Sequence, residues 1–217
     1  MALSFTPGAF ANEKLLSFVN IAPQKYFVQQ IGKDLVDVQV MVAPGDAPHT
    51  YEPKPRQMVA ISKARLYFAI GVEFEAANLD KIVSTNPLIK VVHTDQGIKK
   101  IPMAAHHRHY EKSEHDKENE HQKEGAPDEP SEAREHGEDH HEHGGLDPHI
   151  WLSPPLVKIQ ARTILNALQG IDPAHRAVYE ANYRNFIARI DQLDAELKTI
   201  FADKQGLQFM VFHPAWG

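Results

Sequence analysis

No cysteine occurs among the 217 residues. That absence excludes a disulfide framework, a thiolate metal site and the lipid-bearing cysteine of a bacterial lipoprotein. Any metal held by this chain must therefore take nitrogen and oxygen ligands. No apolar run reaches the roughly 18 to 20 residues that a membrane-spanning helix needs. No basic stripe is present either, and the formal charge of −6 argues against a nucleic-acid partner, which would require a concentrated positive surface. The opening "MALSFTPGAFANEK" lacks the positive n-region and full h-region of a signal peptide, although Ala9-Phe10-Ala11 has the small-x-small pattern that a signal peptidase prefers. Residues 1–14 read as a signal remnant or an ordinary tail, and export is suggested by this pattern alone.

A second lack is local. Residues 106–143 contain no Val, Ile, Leu, Phe, Met or Trp, yet they hold nine of the fourteen histidines. Such a stretch cannot bury a core. Its 13 Asp and Glu against 5 Lys and Arg give it a charge of −8, leaving +2 for the other 179 residues. The acidity of the protein is the acidity of this segment, which is expected to be a disordered insertion far longer than an ordinary connection.

Elsewhere the composition, 42% hydrophobic and 24% charged, supports one large domain or two small ones. Short β-rich runs alternate with helical stretches from Leu15 onward. "LLSFVNIAP", "LVDVQVMVAPG", "RLYFAIG" and "LIKVVHTD" read as strands, and "QKYFVQQIGKD", "PRQMVAISKA" and "VEFEAANLDKIVST" as helices. This order implies an α/β fold with a mostly parallel sheet covered on both faces, and ligands in such sheets gather at the carboxyl ends of the strands. After the insertion, "SPPLVKIQARTILNALQG" reads as a helix. A further helix is expected over residues 172–206, with Asp172 as N-cap, Pro173 in the first turn and core-facing apolar residues at 186, 190, 193, 197 and 200. At 1.5 Å per residue its roughly 30 residues would span about 45 Å, the length of a strut. The chain closes on a β-rich run, "LQFMVFHPAWG".

Three histidines outside the insertion stand where a strand or turn begins or ends: His49 in "PGDAPHTYEPKP", His149 in "LDPHIWLSPP" and His213 in "FMVFHPAWG". Three neutral imidazoles suit Zn²⁺ and leave room for an oxygen ligand. His93 in "KVVHTDQG" and His175 in "DPAHRAV" have similar surroundings, so spacing alone does not select the set. Of the neighbouring residues, Glu52 reads as a loop brace, Asp147 as a residue that caps or orients the turn carrying His149, and Trp151 and Trp216 as packing residues.

These three motifs, with a His-rich acidic segment before the second and a long helix before the third, resemble the ZnuA-type zinc-binding members of the cluster A-I periplasmic metal-binding proteins of ABC importers. The resemblance runs over residues 15–217. It implies a TroA-like fold in which two lobes are joined by one long helix, with zinc held in the cleft between them as transported ligand. Carried across by position, the family's metal ligands fall on His49, His149 and His213, and a histidine at the third position favours zinc over manganese. A carboxylate or water from the second lobe would complete the site. The domain organisation expected is a tail (1–14), an N-terminal α/β lobe (15–171, containing the insertion 106–143), a linking helix (172–204) and only the first strand of a C-terminal lobe (205–217). The family fold would continue for about another 100 residues. A chain truncated there is expected to bind zinc less tightly, and its lone strand offers an edge for self-association.

The resemblance further implies periplasmic capture of zinc and delivery to an ABC permease in the inner membrane, without catalysis. Two readings compete with it. A three-histidine zinc site is also a hydrolase arrangement, but no H-E-x-x-H motif supplies a general base. A metal-storage or adhesive surface protein would use the insertion as its working part. In the carrier reading His106, His107, His109, His115, His121, His136, His140, His141 and His143 raise the local metal concentration without a fixed geometry. Because imidazoles must be neutral to bind metal, affinity is expected to fall as pH drops through the histidine range, about 6.5. Deletion of residues 106–143 is expected to lower zinc stoichiometry in calorimetry while sparing the tight site. Loss of the high-affinity phase would show that the two kinds of histidine are not divided in this way.

Overall fold

In the computed structural model, which describes residues 14–43, 45–46, 51–102 and 146–206, the alternating runs of the sequence become alternating strands and helices. They are β1 (Leu15–Val19), α1 (Ala22–Gly32), β2 (Val36–Val40), α2 (Pro55–Ile61), β3 (Leu66–Ala69), α3 (Glu73–Thr85), β4 (Lys90–His93), α4 (Pro154–Ile171) and α5 (Arg176–Phe201). The strands form one parallel sheet in the order β2-β1-β3-β4, with Leu15 beside Val36, Phe18 beside Tyr67 and Phe68 beside Val92. Each of the four expected strands among the described residues is trimmed at its ends by turn chemistry, and the fifth expected run, 207–217, lies outside them. The run after Val19, for example, turns into α1 because Pro23 is suited to a first helical turn.

Successive side chains of a strand face opposite ways, and here both sides are buried. Val19, Leu66 and Phe68 enter one core with α1, α4 and α5, including Val28, Ile164 and Phe186. Phe18, Tyr67 and Ala69 enter the other with α2 and α3, including Ile61, Phe74 and Ile82. The central strands therefore read as continuous apolar runs, as parallel sheets covered by helices do. On α4 the buried positions Val157, Ala161, Ile164, Leu165 and Leu168 follow helical three-four spacing.

The last helix departs from expectation in two ways. A 3-10 turn, Pro173–His175, precedes α5, and the Asp172 carboxylate accepts hydrogen bonds from the Tyr179 hydroxyl and the His175 ring, each at 2.7 Å, in place of helix N–H groups. Burial raises the Asp172 pKa, but the hydrogen bonds from Tyr179 and the His175 ring, with the charge and backbone N–H of His175, outweigh it and hold the carboxyl below its ordinary range. Nor is the whole apolar stripe core. Tyr179, Tyr183, Phe186 and Ile190 are buried, and Phe186 meets the rings of Tyr26 and Phe27 at 6.0 and 5.9 Å. Arg162 lies 4.4 Å over the Tyr183 ring, and Asn182 donates to the Ile31 carbonyl. Beyond Ile190 the helix outruns α1 and α4, leaving Leu193 44%, Ile200 56% and Phe201 60% exposed. Its 26 residues span about 39 Å.

Where the strands end, buried side chains satisfy the backbone. Gln24, in the first turn of α1, accepts from the Asn20 N–H and donates to the Phe68 carbonyl and the Thr94 hydroxyl. Thr94 in turn donates to the Ala69 carbonyl at 2.7 Å. Glu75 accepts from the Asn20 amide (2.9 Å), Ile70 N–H (2.9 Å) and Gly71 N–H (2.6 Å). Gly71 has φ of +75°, a conformation that favours glycine in the turn leaving β3, and a Cβ there would push aside the paired ends of Lys100 and Asp95.

Burial raises the Glu75 pKa above its ordinary 4.5, more than the hydrogen bonds from Ile70, Asn20 and Gly71 lower it. The folded state therefore holds this proton more tightly than the unfolded chain. That contribution favours folding fully below the unfolded pKa and is lost as pH rises through the raised value. Glu75→Ala leaves the buried Asn20 amide and Ile70 N–H without their acceptor and is expected to cost about 2 kcal/mol at neutral pH. In urea titrations the gap between wild type and variant should widen at about pH 4 relative to pH 7, following the sign of this linkage. Equal stabilities at both pH values would refute this account of the edge.

Candidate metal centre

His149 is the one proposed ligand of the three that lies among the described residues; His49, His213 and the nine histidines of the insertion lie outside them. Its turn is assembled from four directions. Asp147 accepts from the His149 backbone N–H at 2.9 Å and contacts His149 Nδ1 at 2.6 Å, both through Oδ1. The Asp147 N–H donates to the Ile101 carbonyl at 2.7 Å, next to an antiparallel bridge between Pro102 and Leu146. Gln160, buried on α4, donates to the Ile150 carbonyl at 3.2 Å and so holds the residue after the histidine. Trp151, packed against the α1–α4–α5 core, brings its ring within 4.9 Å of the imidazole.

A carboxylate only accepts hydrogen bonds. The 2.6 Å contact therefore points the Nδ1–H at Asp147 and makes Nε2 the ring atom on the opposite side, the orientation that an outer carboxylate gives a metal-binding histidine. The side chains of His149 and Asp147 are 13% and 9% exposed, which makes the ring a held group rather than a mobile surface histidine. Asp147 thus orients the turn as its sequence position suggests, and it touches the ring as well.

The turn belongs to the carboxyl edge of the sheet, where an α/β fold places ligands. Lys100, just before Ile101, donates to the Ile70 and Gly71 carbonyls at 2.9 and 3.3 Å and pairs with Asp95 at 2.7 Å. The flanks of His49 are tied to the same edge. Met41 and Val42 donate to the Val19 and Asn20 carbonyls. On the far side Tyr51 donates to Gln57 Oε1 at 2.7 Å, while Gln57 donates to the Met41 carbonyl at 2.8 Å.

The two other candidate histidines separate from this site in different ways. His175 pairs with Asp172 beyond the far end of α4, whose 18 residues put about 27 Å of helix between that corner and the turn of His149. His93 lies on the carboxyl edge but is 55% exposed, with Nδ1 3.8 Å from Asp95. Among the described residues no group of three or more His, Asp and Glu side chains converges on a cation site. Sequence reading passed over Gln57, Gln160 and Lys100 as supports. The signal for Gln160 was present: an amide at an apolar-face position, three residues after Val157 and four before Ile164.

A family model described as "Zinc-uptake complex component A periplasmic" matches residues 18–217. The chain belongs to the ZnuA family. It is 28% identical over 203 residues to the high-affinity zinc uptake system protein ZnuA of Yersinia pestis, covering 91% of this chain and 59% of that protein. The ZnuA of Bacillus subtilis is 27% identical over 207 residues, with 94% and 57% covered. Two solved structures resemble the fold. A crystal structure of ZnuA gives a TM-score of 0.72 at 37% identity over 94% of this chain and 65% of that one. A ZnuA internal-deletion mutant with zinc bound gives 0.73 at 36% identity, with the same two coverages. The chain therefore spans somewhat under two thirds of these ZnuA relatives.

Proposed function

We propose that this chain captures Zn²⁺ in the periplasm as the solute-binding component of an uptake system and delivers it to an ABC permease in the inner membrane, without catalysing a reaction. Membership of the ZnuA family supports the reading, and the observation that carries it is the Asp147-His149 pair. An outer carboxylate holds the imidazole through Nδ1, so that Nε2 is the atom that would take a metal, at the edge of the sheet where ligands bind. Zinc is the cargo here. His49, His149 and His213 are its ligands, and the histidines of residues 106–143 gather it at lower affinity. Neutral nitrogen donors suit Zn²⁺ better than Mn²⁺ or Mg²⁺, which favour oxygen.

The domain division follows the same proposal. Residues 15–171 form the first lobe, 172–204 the linking segment built on α5, and 205–217 the start of a second lobe, with its first strand. The exposed apolar end of α5 supports it, since Leu193, Ile200 and Phe201 lie where the first lobe no longer reaches.

Diffraction at the zinc absorption edge, on crystals of the 217-residue chain grown with zinc, is expected to place one anomalous peak within coordination distance of His149 Nε2, shared with His49 and His213. His149→Ala should weaken zinc binding in competition titrations by more than the roughly 10–100-fold that loss of an outer partner costs. A peak remote from His149, together with unchanged affinity in the variant, would refute the assignment.

A further inference from the structure

We infer that Asp147 is a positioning residue for zinc capture: it holds His149 in its metal-binding tautomer and ties that ligand to the neck of the histidine-rich insertion. The inference rests on the reading of His149 as a zinc ligand and adds a device to it. One residue carries both connections. Its carboxylate Oδ1 takes the His149 backbone N–H at 2.9 Å and the ring Nδ1 at 2.6 Å, while its own N–H goes to the Ile101 carbonyl at 2.7 Å.

The neck is itself anchored. Lys100 reaches the Ile70 and Gly71 carbonyls and the Asp95 carboxylate, and the Pro102–Leu146 bridge closes the two sides one residue further out. A path of hydrogen bonds therefore runs from the end of β3 through Lys100 and Ile101 to Asp147 and the imidazole. With Asp147 only 8% exposed, little water is present to replace the carboxylate if it is removed. The backbone of the turn would still be held by Gln160 at Ile150, so loss of the side chain should release the ring rather than unfold the turn.

Two substitutions separate the roles of the carboxylate. Asp147→Ala removes both contacts to His149, whereas Asp147→Asn keeps an oxygen that can accept them but removes the charge. In the zinc-free 217-residue chain, ¹⁵N NMR of the imidazoles should show His149 protonated at Nδ1 in the wild type and in Asp147→Asn, and shifted toward the Nε2-protonated form in Asp147→Ala. Zinc affinity should fall by about 10–100-fold in Asp147→Ala. It should fall only about three- to tenfold in Asp147→Asn, because a neutral hydrogen bond is roughly half as strong as a charge-assisted one. Zinc should also slow hydrogen exchange at the Asp147 amide, since loading the ligand steadies the neck bonded to it.

Wild-type affinity in Asp147→Ala, an unchanged tautomer in that variant, or an Asp147 amide indifferent to zinc would each overturn the inference. His149→Ala distinguishes the levels of failure. If it weakens zinc binding and Asp147→Ala does not, the positioning role fails while the ligand stands. If it leaves zinc binding unchanged, both fall. Should Asp147→Ala not fold, the tautomer and affinity of Asp147→Asn decide: a loss as large as that of His149→Ala, with the Nδ1 proton in place, would contradict positioning by the hydrogen bond.

Discussion

All four strands of a parallel sheet end on one edge, and every carbonyl and N–H that leaves the ladder there needs a partner. In this protein side chains meet that need. Gln24 closes the ends of β1 and β3, Thr94 takes the Ala69 carbonyl, Glu75 takes the N–H groups of Ile70 and Gly71, and Lys100 takes their carbonyls. An unsatisfied polar group in such a place costs about 1–3 kcal/mol. The edge is consequently closed by buried side-chain hydrogen bonds, and the turn of His149 and the flanks of His49 are moored to it.

Mooring matters because a metal ligand on a loose turn loses affinity to the entropy of ordering it. His149 is held on its backbone by Asp147 and on the following carbonyl by Gln160, with the Trp151 ring against its side. The apolar faces of α4 and α5 supply the support beneath. Gln160 lies on α4 between core residues, and α4 is pinned to α5 by buried packing around Tyr179, Tyr183 and Phe186. Packing in the α1–α4–α5 core thus reaches the His149 turn through the buried Gln160 amide and the Trp151 ring.

Much of this could be read from residues alone. The alternation of apolar runs announced the parallel sheet, and the prolines at the starts of α1, α2 and α4 mark their boundaries within a few residues. Helical spacing on α5 was legible too, but spacing says which face is apolar and not how much of it finds a partner, so the exposure of Leu193 and Ile200 required the lengths of α1 and α4. His149 stood out through the "DPH" turn, and the role of Asp147 was visible as an orienting residue. What the sequence could not carry was contact across distance. Ile101 and Asp147 are 46 positions apart in the chain (147 − 101), and no local pattern says that they share a hydrogen bond. His93 and His175 looked equivalent to His149 because each sits in a turn; the length of α4 separates His175, and its exposure distinguishes His93.

The paired neck has a consequence for how this protein can vary. The antiparallel bridge between Pro102 and Leu146 brings the two ends of a 43-residue span, 103–145, side by side. The entropy of closing a connection grows only with the logarithm of its length, so doubling such a span costs about 0.6 kcal/mol and halving it returns as much. The bridge fixes both flanks of the span against the sheet edge, so the positions of Pro102 and Leu146 do not depend on the number of residues or histidines between them. A change of length there leaves the turn of His149 where Ile101, Asp147 and Gln160 hold it.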